Sequence, residues 1–105
     1  MARDKYHRIF REALENDGWT ITHDPLLLSY GASNLEIDLG AERLIGAERG
    51  EERIAIEVKS FTEPSKVYAF HQALGQFMVY KLALEHNKEK RLLLLAVSYD
   101  VIMHF

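Results

Sequence analysis

Apolar residues recur at three-to-four spacing over residues 3–17. Tyr6, Ile9, Phe10, Ala13 and Leu14 form a stripe, and Arg3, Lys5, Arg8, Arg11, Glu12 and Glu15 fill the other faces. That period predicts an amphipathic helix, with Gly18 placed to end it in a left-handed conformation. The period then shortens to two. WTITH (residues 19–23) predicts a strand that stops at Asp24-Pro25, because proline has no amide to give to a ladder. LLLSY and LEIDL flank Gly31-Ala32-Ser33-Asn34 and predict a hairpin with a four-residue loop. RLIGAER and RIAIEVKS predict a second hairpin around Gly50-Glu51-Glu52.

Residues 62–65, with Pro64, form a break in which Thr62 or Ser65 is available as a helix cap. From residue 66 to residue 86 the helical period returns, with Val67, Phe70, Leu74, Phe77, Met78 and Leu82 on one broad face expected to meet the core. RLLLLAVSY is continuously apolar and short, the pattern of a strand buried on both faces. Strand, long helix and buried strand make a βαβ unit, so IAIEVKS and LLLLAVS are expected to run parallel. The fold class that follows is α/β (or α+β): a mixed sheet with elements in the order helix, antiparallel strands, helix, strand.

A chain of 105 residues forms one domain, here spanning residues 1–105 without repeats or linkers. It has no cysteine, which excludes disulfides and thiolate zinc sites, and its five histidines are scattered without metal-ligand spacing. The N-terminus is charged and no apolar run approaches about 18 residues, so the expectation is a cytoplasmic protein without signal peptide or membrane span. A net charge of −3 argues against coating nucleic acid by bulk charge. It leaves room for a small nuclease, whose metal-binding carboxylates add negative charge.

The chemistry concentrates on IAIEVKS. Glu57 and Lys59 are two apart on a strand and emerge on one face, while Ile54, Ile56 and Val58 take the other. With 16 acidic residues and six lysines, chance yields about one acid-x-Lys triplet, so occurrence alone says little. Its place near the C-terminal end of the strand entering the βαβ crossover says more, since open α/β sheets put sites there. The alternative is a half-exposed pair facing solvent at a sheet edge. Asp38, in LEIDL beside Gly40, ranks first as a second carboxylate and Glu48 second, with Glu36 and Glu42 as rivals; structurally, Asp38 reads as a loop residue bonding backbone amides. Glu12 offers a further carboxylate, or an ion pair with Arg8. Gln72 and Gln76 share a helix face suited to holding a water or a phosphate oxygen, or simply to meeting solvent. Trp19, Phe70, Phe77 and Tyr80 read as core, and Lys88, Lys90 and Arg91 as a solvated loop.

The stretches DGWTITHDPLLL, EIDLGAERLIGAER, IAIEVKSF and ALGQFMVYKLAL, covering about residues 17–97, resemble the fdxN element excision controlling factor XisH family. That family is assigned to the PD-(D/E)XK nuclease-like superfamily, with a restriction-endonuclease-like core of helix, three strands, helix and strand. The resemblance implies a Mg²⁺ or Mn²⁺ site with Asp38 and Glu57 as ligands, and Lys59 orienting water or stabilising charge on the phosphate. It implies further roles for Glu12, where some superfamily resolvases carry a helix acid, and for Gln72 or Gln76. Ile37 stands in place of the superfamily's proline, and the long Asp38-to-Glu57 separation leaves Glu48 open as the second carboxylate. Family chains continue beyond the equivalent of Phe105 with another helix and strand, so a short or truncated form is implied.

The family acts in programmed excision of a DNA element in cyanobacteria, assisting a separate recombinase, and its members occur beside XisI-type proteins. DNA and an XisI-like protein are therefore the expected partners, and the resemblance to superfamily nucleases, which often work as dimers, adds a second copy of the chain. The leading expectation is a metal-dependent endonuclease. Its rivals are a catalytically inactive adaptor on the same fold and, more distantly, half of a two-protein defence module.

Overall fold

The computed structural model describes residues 5–46, 50–59 and 66–97. The chain runs α1 (Lys5–Asn16), β1 (Thr20–His23), β2 (Leu26–Tyr30), β3 (Ser33–Ile37), β4 (Leu39–Gly46), β5 (Gly50–Lys59), α2 (Lys66–His86) and β6 (Leu92–Val97). Strands β1, β4, β5 and β6 form one sheet in that order, and β2 and β3 pair as a separate hairpin. The β1–β4 and β4–β5 ladders are antiparallel, whereas β5 and β6 run parallel across the α2 crossover. The architecture is the mixed α+β class expected, with the βαβ unit where the apolar pattern placed it. Among the described residues, no helix is long and apolar enough to cross a membrane.

Local rules set the helix ends. At the end of α1 the Trp19 amide donates to Leu14 O (3.0 Å) and the Gly18 amide to Glu15 O (3.1 Å), with Gly18 at φ +92°. This is a Schellman ending, and Leu14 and Trp19 make its hydrophobic contact inside one core. Helix α2 ends in the same way: Glu89 N donates to Leu84 O (2.9 Å) and Lys88 N to Glu85 O (3.0 Å). The left-handed position there is Lys88, at φ +57°. Between them Asn87 donates its side-chain amide to Ala83 O and to Ser29 O, both at 2.7 Å, which ties the helix end to β2.

The sheet separates two cores. On one face Tyr6, Phe10 and Leu14 of α1 pack on Trp19, Leu39, Ala41, Ile54, Ile56 and Val58. On the other, Tyr80, Ala83 and Leu84 of α2 meet Ala55, Leu93 and the hairpin residues Leu26, Leu28 and Ile37. Helix α1 is anchored further by Asp24, whose carboxylate accepts from His7 Nε2 (2.7 Å) and from Arg11.

Several expectations are corrected. The first hairpin turns on two residues, not four: Tyr30 pairs with Ser33, and Gly31 at φ +62° makes the reversal. Ser33 and Asn34 join β3. Gly50, Glu51 and Glu52 lie within β5, and Arg43 pairs across the ladder with Glu52 (3.4 Å), so they do not form the turn expected of them; residues 47–49 lie outside the described residues, as do the break at 62–65 and its caps. LEIDL is not one strand. Leu35 and Ile37 pack in the α2-side core and Leu39 in the α1-side core, with a bend at Asp38 between them.

Helix α2 has the length expected, and Phe77 packs on the α2-side core as expected, but the rest of the expected face is turned outward. Its buried face carries small residues, Ala69, Ala73 and Ala83, with Tyr80 and Leu84, while Val67, Phe70, Leu74, Met78 and Leu82 are exposed. Apolar residues surround this helix, so period alone does not choose the inward face; close approach to the sheet selects the alanines. Strand β6 is an edge strand whose Leu92 and Leu94 remain exposed. Arg91 does not lie in a solvated loop: its side chain is buried and donates to Ile54 O (3.1 Å). Ile9 and Ala13 of α1 also lie outside the core.

Two substitutions test these placements by urea unfolding. Ala73→Leu is expected to destabilise by about 1–3 kcal/mol, because Ala73 is buried against Leu95 and Val97; a gain in stability would contradict the inward alanine face. Lys88→Gly is expected to stabilise by about 1 kcal/mol by relieving the left-handed residue.

Candidate functional site

Strand β5 lies between β4 and β6 and is buried from Ile54 through Val58. Alternation sends Ile54, Ile56 and Val58 toward α1, and Ala55, Glu57 and Lys59 toward the α2 side. Glu57 is only 7% exposed. A carboxylate in that position requires partners, and the half-exposed edge pair considered as the alternative is overturned.

Its partners come from three elements. Glu57 Oε1 accepts the main-chain amide of Asp38 at 3.1 Å. Glu57 Oε2 lies 3.7 Å from Lys59 Nζ and accepts a long hydrogen bond from the Tyr80 hydroxyl at 3.4 Å. Tyr80 Oη in turn accepts from Gln76 Nε2 at 2.8 Å. Asp38 completes a reciprocal link, its Oδ2 accepting the Val58 amide at 2.8 Å.

The ladder explains why Asp38 stands there. Strand β4 pairs with β5 only as far as Leu39 opposite Ile56, because the preceding β3 belongs to the other sheet. The Val58 amide has passed the end of that ladder, and a buried N–H needs an acceptor. The aspartate side chain supplies it.

The electrostatics follow from this crowding. Burial first, and the Asp38 charge second, push the Glu57 carboxyl up to about 7, an effect that the hydrogen bond from the Asp38 amide and, less, Lys59 offset only in part. Burial also raises the Tyr80 hydroxyl, helped by Glu57, Asp38 and Glu36, so Tyr80 stays a donor to Glu57. The two carboxyl groups lie within hydrogen-bonding reach of each other, with the Lys59 ammonium beside Glu57. Their oxygens suit a hard divalent cation, which is bound through one or two carboxylates and otherwise by water or phosphate oxygens. Among the described residues no group of three or more His, Cys, Asp or Glu side chains is arranged for a metal.

The structure thus brings together Asp38, Glu57, Lys59 and Gln76, with Glu36 near enough to act on Tyr80, and separates Gln72, Glu12 and Glu42 from them. Gln72 is exposed and bonded to the Tyr68 hydroxyl (3.1 Å). Glu12 is exposed on α1, across the sheet from Glu57. Glu42 lies 3.7 Å from Arg53, and Glu48 is outside the described residues. Tyr80, read as core, is core and also the link from Gln76 to Glu57. The signal for it was its position four residues after Gln76, on the same helix face.

The family model described as XisH protein matches residues 1–105. An XisH family protein from Nostoc punctiforme PCC 73102 has a similar crystal structure: TM-score 0.80 and 43% identity, covering 97% of this chain and 77% of that one. The structure of an fdxN element excision controlling factor protein from Anabaena variabilis is also similar. Its TM-score is 0.80 at 42% identity, over 98% of this chain and 78% of its own. Among curated proteins none matches.

The carboxyl pair sets a pH dependence. Folded Glu57 holds its proton to about 7, against 4.5 for an ordinary glutamate. Between those values the folded chain binds more protons than the unfolded one, so rising pH removes stability. In EDTA, Glu57→Gln is expected to flatten this loss and to be more stable than wild type at pH 8 by at least about 1 kcal/mol. Parallel urea midpoints for the two proteins at pH 5 and pH 8 would count against the assignment.

Proposed function

The chain belongs to the XisH family, and from that premise we propose that it is a Mg²⁺- or Mn²⁺-dependent DNA endonuclease of the PD-(D/E)XK type. Its biological setting in this reading is control of the excision of a DNA element, the role carried in the name of its Anabaena variabilis relative. The observation that carries the proposal is the convergence of Asp38, Glu57 and Lys59 at the end of a buried central strand, with Glu57 Oε2 3.7 Å from Lys59 Nζ.

Asp38 and Glu57 would hold the cation, which when bound activates water and neutralises charge on the scissile phosphate. With a cation held there, Asp38 and Glu57 would repel each other less and Glu57 would stay ionised. Lys59, one-third exposed at its side chain, reaches toward solvent from the same face and serves to orient the attacking water or to stabilise charge on the phosphate. Tyr80 and Gln76 are positioning residues that hold Glu57 Oε2 from the helix side.

A second reading has its own support. Asp38 and Glu57 each accept a main-chain amide, so the pair also serves as a structural clasp. A non-catalytic adaptor that binds DNA or an XisI-like protein would retain it for that purpose, and the net charge of −3 suits a protein partner.

Incubation of purified protein with plasmid and branched DNA separates the readings. Cleavage is expected only with Mg²⁺ or Mn²⁺, reduced at least about 100-fold in Asp38→Ala and Glu57→Ala and markedly reduced in Lys59→Ala. Equal trace activity in wild type and Glu57→Ala removes the endonuclease reading. Absence of millimolar Mg²⁺ or Mn²⁺ binding by calorimetry, with tight binding to an XisI-like protein, supports the adaptor.

A further inference from the structure

Helix α2 presents the sheet with alanines and presents the outside with large apolar side chains. Phe70, Leu74, Met78 and Leu82 follow one another at four-residue intervals and are 39%, 47%, 52% and 50% exposed. Such a row is a ridge of the kind that packs into the grooves of another helix, and a contiguous apolar patch of this size marks an interaction surface. The helix spans 21 residues, about 30 Å. Two copies of the ridge with its flanking residues would bury on the order of 1,000 Å², the lower bound for a specific interface.

We infer that the ridge is the interface of a two-fold symmetric homodimer in which two α2 helices pack antiparallel with Met78 at the axis. The polar side chains along the ridge select this occupant and this register, since an imidazole and a carboxylate are hydrogen-bonding complements. His71 and Glu85 lie equally far from Met78, on either side. An antiparallel pairing centred there sets each His71 against Glu85 of the second copy, and each Leu74 against Leu82. A parallel pairing would set Lys81 against Lys81 and Glu85 against Glu85, which costs affinity. Shifting the antiparallel centre to Gln76 sets His71 against Lys81 and loses the complementary pair. The self-complementarity is that of an isologous interface, each copy giving the same patch. This inference does not rest on the endonuclease reading, because the ridge lies on the helix face opposite Ala73 and Tyr80.

Sedimentation equilibrium on the full chain is expected to show a dimer. Leu74→Glu should raise the dimer dissociation constant at least about 100-fold with the circular dichroism spectrum unchanged. His71→Glu should weaken the dimer about tenfold, and adding Glu85→Arg should restore it. Because the chain has no cysteine, Met78→Cys places a lone thiol at the axis, and mild oxidation should convert it to a disulfide-linked dimer, whereas Tyr68→Cys should not be converted. A wild-type monomer overturns the proposal and leaves the ridge to a different protein. A dimer indifferent to Leu74→Glu, with no cross-linking through Met78→Cys, overturns it as well.

Discussion

The structure turns on the reciprocal link between Asp38 and β5. The Asp38 amide donates to Glu57 and the Asp38 carboxylate accepts from Val58, at the one-residue bend where the chain passes from the hairpin to the main sheet. Ile37 and Leu39, on either side, are both fully buried but in different cores. Without a partner for the Val58 amide, the end of β5 would carry an unsatisfied buried donor. Without an acceptor at Glu57, the bend would expose its own amide to the core. One residue meets both demands.

This clasp creates a tension that the rest of the site manages. Two carboxyl groups held together beside apolar core oppose ionisation, and burial of a charged group is among the most expensive events in folding. Lys59 from the same strand, and Tyr80 held by Gln76 from the helix, both meet Glu57 Oε2. The strand supplies charge and the helix supplies dipoles. The arrangement stays responsive because Lys59 is partly exposed and its attraction is screened by water. Burial and the repulsion between the two carboxyl groups are what make this part of the fold sensitive to pH.

Much of this was legible in the amino-acid order. Period marked both helices, and α2 runs over the same residues, Lys66–His86. The parallel pairing of β5 with β6 followed from a strand, a long helix and an apolar run. The shared face of Glu57 and Lys59 followed from strand alternation alone. What escaped did so for physical reasons. Leu35, Ile37, Leu39 and Ala41 alternate as one strand would, and no local signal shows that Asp38 divides them between two sheets. The apolar residues encircling α2 hid its inward face, since size complementarity with the sheet, not hydrophobicity, decides it. Arg91 looked like a loop cation because its acceptors, the carbonyls of Ile54 and Ala41, are remote in sequence. Glu12 looked available because nothing local says which side of the sheet α1 covers.

The bend at Asp38 also shapes how this chain can vary. Its geometry depends on a single residue spanning two cores, so substitutions in the hairpin loop leave it intact. An insertion or deletion between Ile37 and Leu39 does not. Because side chains alternate with a period of two, one added residue turns Leu39 and Ala41 away from α1. It also carries Asp38 off the end of the β4–β5 ladder. The segment behaves as a ruler: tolerant of changed letters in the two-residue hairpin loop, intolerant of changed length at the junction.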